Sequence, residues 1–124
     1  LLAVDRNNAR VAHLYHSFHP AVLQALAYVA TASQSEGVPI GICGELAGDP
    51  GGAVLLLAMG YDVLSMNAIS LPRVKKALRN LRRSEARSLL KEVMQLDCAL
   101  QVNARLEQFL TQHGMEKFIH SPVE

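Results

Sequence analysis

"VPIGICGELAGDPGGAVLLLAMGYDVLSMNAIS", residues 38–70, decides the architecture. Val38–Ile42 reads as a short buried strand, with Pro39 confined to its first residues because proline cannot donate to a ladder. "CGELAGD" is the loop after it. Asp49 is placed to cap a helix that Pro50 opens. That helix is apolar nearly all round, so burial on most sides is expected. Gly60 ends it, Tyr61–Met66 is a second short strand, and "NAIS" is its exit loop. Strand, helix and strand in this order predict parallel pairing through a right-handed crossover.

Helices extend on both sides. Pro20 opens one whose Val22, Leu23, Leu26, Val29 and Ala30 share a face, with Gly37 as its C-terminal cap. Pro72 begins another, carrying Val74, Ala77, Leu78 and Leu81. Ser84 is the expected N-cap of a fourth, striped by Ala86, Leu89, Leu90, Val93 and Met94. Asp97 is the expected cap of a fifth, with Val102, Leu106, Phe109 and Leu110, and Gly114 stops it. The tail to Glu124 has little pattern. Two strands cannot cover both faces of their neighbours. The chain also opens on "LLAV" with no methionine. Both features predict a piece of something longer, or an assembly with another chain.

The 124 residues suit one domain or part of one. A net charge of +1 and few aromatics give no bulk signal for nucleic acid or an anionic membrane. The longest apolar run, Ala53 to Gly60, is too short to span a bilayer. Two distant cysteines, Cys43 and Cys98, make no disulfide framework and fit a reducing, cytoplasmic compartment.

Chemistry is expected in the loops at the C-terminal ends of the strands. Cys43 lies there, ahead of a helix start, where a helix dipole lowers a thiol pKa. An unperturbed thiol titrates near ~8.5 and is protonated at neutrality, so it is a usable general acid. A small buried hydrophobe is the other reading of Cys43. A metal site lacks the spacing for zinc. Cys98 reads as helix packing. Arg6, in "DRNN", offers a planar fork for phosphate or carboxylate, or is part of a solvated loop. His13, His16 and His19 read as loop histidines, with a metal site as the sharper option. Arg73, Lys75, Lys76, Arg79, Arg82 and Arg83 read as a solvated helix face, or as a surface for an anionic partner.

"LLAVDRNNARVAHLY", "HPAVLQAL", "GICGELAGDP" and "LLLAMGYDVLSMNAISLPRVKK" together resemble Enzyme I of the bacterial phosphotransferase system, in order and spacing. The likeness covers nearly the whole chain and weakens after Leu81. "DRNN" and "AGDP" look closer to the nitrogen-branch paralogue than to the sugar-branch enzyme. The resemblance implies an α/β fold: residues 1–124 would be the C-terminal portion of a (βα)8 TIM-type barrel, a helix-rich fragment with two short parallel strands. It implies phosphoenolpyruvate as substrate, Mg²⁺ as cofactor held by residues outside this chain, a small histidine-containing phosphocarrier protein as partner, and a homodimer. By motif, Cys43 matches the family's proton donor to enolpyruvate. Arg6 matches an arginine that binds phosphoenolpyruvate, although Asn7 follows it where the family usually has glycine. No histidine here matches the phosphorylated one, so the chain alone is expected to be inactive. A dikinase or phosphoenolpyruvate synthase relative is the neighbouring reading. A non-catalytic structural and dimerisation module is the reading from another class.

Overall fold

A computed structural model describes residues 1–5 and 7–115. A single 3-10 turn at Ala12–Leu14 precedes α1 (Pro20–Glu36), β1 (Gly41–Cys43), α2 (Glu45–Gly48), α3 (Pro50–Met59), β2 (Val63–Ser65), α4 (Leu71–Arg79), α5 (Arg83–Val93) and α6 (Ala99–Gln112). The two strands pair in parallel, with Gly41 opposite Val63, Ile42 opposite Leu64 and Cys43 opposite Ser65. The helix-rich α/β reading is therefore borne out.

The core is built around α3. Its residues Pro50 to Leu56 and Met59 are buried, and α1, α2, α4, α5 and α6 all contact it. Each fully buried leucine there contributes about 1.5–3 kcal/mol of transfer free energy. The Asp49 carboxylate caps α3 by accepting the Gly52 N–H at 2.9 Å, as expected from "DPGG". Gly52 is required by close approach: a Cβ there would collide with the backbone oxygen of Leu46. Gly60, at φ 101°, ends α3 in the left-handed region that glycine tolerates best.

Both strands are shorter than expected. The first starts at Gly41 rather than Val38, and Cys43 is its last residue rather than the first of a loop. Pro39 has no N–H to offer, and Val38 directs its carbonyl to the Ser33 hydroxyl. Pairing begins only where Ile40 accepts the N–H groups of Asp62 and Val63. The second strand does not include Tyr61, which lies just past α3 with its N–H bonded back to Leu56 O. The sheet is covered on one face only. Ile42 and Leu64 pack on the core, whereas Gly41, Cys43, Val63 and Ser65 are exposed.

Four cap and packing expectations need correction. Arg82, not Ser84, is the N-cap of α5; Glu85 reaches back to accept the Arg82 N–H at 2.6 Å, the returning half of a capping box. Cys98, not Asp97, is the N-cap of α6, and no side chain caps it. Cys98 is therefore exposed at a helix start rather than packed inside a helix. On α1 only Leu23 and Ala30 of the expected stripe are buried, and Val29 remains 50% exposed.

Candidate active site

Cys43 closes β1, and both its cysteine thiol and its strand neighbour Ser65 face the open side of the sheet. The alternation of exposed, half-buried and exposed residues along each three-residue strand puts Cys43 and Ser65 on the same face. Cys43 is a free, exposed thiol, which removes the reading of a small buried hydrophobe. The chain turns immediately after it. Gly44 has φ 114°, in the left-handed half of conformational space, and its N–H donates to Ser65 O at 3.3 Å. That bond ties the end of β1 to the end of β2.

The expected loop "CGELAGD" contains one helical turn, α2. The turn is pressed against the second strand's exit. A Cβ on Gly48 would stand 3.1 Å from the Ser70 hydroxyl oxygen. Ser70 in turn is held by its N–H bonding to the Asn67 side chain at 2.8 Å. The two loops at the C-terminal ends of the strands therefore form one contiguous surface beside Cys43.

The other residues singled out in the sequence lie apart or serve the fold. Arg6 falls outside the described residues. Its neighbour Asp5 accepts the Asn7 N–H at 2.9 Å. His19 is the N-cap of α1, its ring Nδ1 accepting the Ala21 N–H at 3.2 Å; a solvent-facing loop histidine was expected there. His13 and His16 are exposed. Among the described residues no three His, Cys, Asp or Glu side chains form a group able to hold a metal ion. In the basic run, Lys75, Arg79, Arg82 and Arg83 are exposed. No helix of the described residues is long and apolar enough to cross a membrane.

Residues 1–83 match the family described as PEP-utilising enzyme, PEP-binding domain, where PEP is phosphoenolpyruvate. The chain belongs to this family. It is 44% identical over 114 residues to a protein of Haemophilus influenzae named phosphoenolpyruvate-protein phosphotransferase, covering 92% of this chain and 20% of the relative. It is 42% identical to an Escherichia coli protein named phosphoenolpyruvate-dependent phosphotransferase system, covering 93% of this chain and 15% of that one. An Escherichia coli protein named multiphosphoryl transfer protein 2 is 43% identical over 88% of the chain. The chain spans a fifth or less of the length of these relatives. The family match accounts for the parallel βα arrangement and agrees with an α/β barrel, in which the open sheet face carrying Cys43 and Ser65 would line the interior.

Two features of this site escape sequence reasoning. Ser65 becomes a neighbour of Cys43 only through strand register. The one-turn α2 is too short for periodicity to detect, although Gly44 and Gly48 at its two ends mark where it fits.

Proposed function

We propose that this chain supplies the proton-transferring thiol of a phosphoenolpyruvate–protein phosphotransferase. The observation that carries the reading is the free, exposed Cys43 at the C-terminal end of a parallel strand, in a chain of the PEP-binding family. The P–O bond of phosphoenolpyruvate breaks as the phosphoryl group passes to a histidine outside this chain, and from there to a small carrier protein. The enolate of pyruvate remains, with its charge on oxygen and nucleophilic character on the methylene carbon. Cys43 S–H donates its proton to that carbon, giving pyruvate and a thiolate. In reverse, the thiolate removes a methyl proton. The Arg6 guanidinium, by motif, neutralises a phosphate or carboxylate oxygen of the substrate. The Mg²⁺ ligands are assigned to residues outside this chain. "DRNN" and "AGDP" support the nitrogen-branch form, and two free cysteines support a cytoplasmic location.

The test is pyruvate formation by the full-length enzyme carrying Cys43→Ala. Near-complete loss is expected, with phosphoenolpyruvate binding retained; a wild-type rate would take the thiol out of the mechanism. Arg6→Ala is expected to weaken phosphoenolpyruvate binding, and unchanged affinity would refute its role.

A second reading, of association between copies, is favoured by exposed apolar side chains on α1, Tyr28 at 77% and Val29 at 50%, and by the open sheet face. Light scattering of the chain checks it: a monomer at all concentrations excludes a dimerisation module.

A further inference from the structure

The charges of α5 are sorted onto two flanks. Glu85 and Glu92 lie on the side facing α6, where they approach His113 at 3.7 Å and Arg105 at 2.7 Å. Arg83, Arg87 and Lys91 follow one another at intervals of four, so each is turned by only about 40° from the last. All three are exposed, and they line a cavity of ≈ 470 Å³ between α5 and the end of α3, together with Gln34, Gly60 and Asp62. The cavity lies toward the N-terminal ends of the strands, because Asp62 immediately precedes β2 and its carboxylate holds the Ile40 N–H just before β1 at 2.9 Å. Cys43 closes β1 at the opposite end.

Stacking like charges four residues apart destabilises a helix. Two structural reasons that would explain the stack are already met by other groups. The carbonyls at the end of α3 do not require these cations: Leu56 O and Leu57 O accept the Gly60 N–H, Leu56 O also accepts the Tyr61 N–H, and Met59 O accepts Gln34 Nε2 at 2.8 Å. The one carboxylate lining the cavity, Asp62, is engaged with the backbone. Three cations thus face one committed acid across a cavity large enough for a small molecule.

We infer that the cavity between α3 and α5 binds a small polyanion of the diphosphate class, through Arg83, Arg87 and Lys91. Two guanidinium forks give paired hydrogen bonds to phosphate oxygens, and the ammonium adds a third positive charge. Three cationic side chains match the several negative charges of a diphosphate better than the smaller charge of a single phosphate. This site is independent of the proton-transfer role of Cys43.

Inorganic pyrophosphate titrated calorimetrically into the intact protein tests the assignment, with citrate as a carboxylate counterpart. Saturable binding with a Kd below about 1 mM is expected. It should weaken by at least about tenfold in Arg87→Gln/Lys91→Gln and as salt rises, and it should persist in Cys43→Ala. The two substituted side chains are exposed, so an unchanged circular dichroism spectrum is expected; Arg83→Gln provides a second, independent variant. No saturable binding would overturn the proposal. So would binding as tight as the wild type's in both sets of variants. Binding lost in Arg6→Ala but kept in Arg87→Gln/Lys91→Gln would move the anion to the N-terminal loop. Tighter binding of citrate than of pyrophosphate would refute the phosphate class.

Discussion

Cys43 and Ser65 are register partners at the C-terminal ends of two parallel strands, and the N–H of the residue after the cysteine bonds to the serine's carbonyl oxygen at 3.3 Å. Strand pairing thereby fixes the backbone from which the thiol projects on the open face of the sheet. A side chain set this way is positioned by the scaffold rather than by a mobile loop, which suits transfer of a proton to carbon.

Its accessibility can be measured directly. The folded chain is expected to react with two equivalents of a thiol reagent, because Cys43 and Cys98 are both free and exposed. Cys98→Ser should leave one reactive thiol and, in the full-length enzyme, unchanged pyruvate formation. Cys43→Ala should lower pyruvate formation by about 10²-fold or more, the usual contribution of a positioned general acid. Rapid protection of the remaining thiol by phosphoenolpyruvate would agree with its place in the site.

Gly52→Ala should destabilise the fold by about 1–3 kcal/mol, since the new methyl group meets the Leu46 backbone oxygen rather than a yielding side chain. Urea unfolding reads the change as a lower midpoint at constant slope. Gly37→Ala meets no atom within 4 Å. Its cost comes only from the left-handed backbone at φ 65° and is expected to be about 1–2 kcal/mol.

Asp49→Ala removes the acceptor for the Gly52 N–H at the start of α3. A loss of about 1 kcal/mol is expected, with Asp49→Asn or Asp49→Ser recovering most of it. Equal stability of the alanine and asparagine variants would assign the aspartate a role other than capping.

Glu85 gives the fold a pH dependence. The hydrogen bond from the Arg82 backbone N–H, aided by attraction to His113, holds its carboxyl below the usual value of 4.5. The folded chain therefore favours the ionised form more than the unfolded chain does. This contribution is fully present above about pH 4.5 and is lost as the pH falls through the lower folded value. Thermal unfolding followed from pH 7 to pH 3 should show a shallower acid-side decline for Glu85→Gln than for the wild type. Identical curves would remove Glu85 as a source of acid sensitivity.

By itself the sequence determined the alternation of strands and helices, the buried character of α3 and its Asp49–Pro50 start. Those features depend on local patterns: a continuous apolar run, an oxygen-bearing cap before proline, and glycine where φ is positive. It also marked Cys43 at a strand end and, by resemblance, Enzyme I of the bacterial phosphotransferase system. Tertiary structure decided the rest. The strands are three residues long because pairing begins only where Ile40 meets Asp62 and Val63, a contact across 22 residues that no local propensity encodes. Cys98 is exposed because α6 begins one residue after it, a boundary set by backbone hydrogen bonds rather than by composition. Ser65 stands beside Cys43, and Arg83, Arg87 and Lys91 face the end of α3, because of register and helix packing. Such neighbours are distant in the chain and become visible only once the backbone has folded.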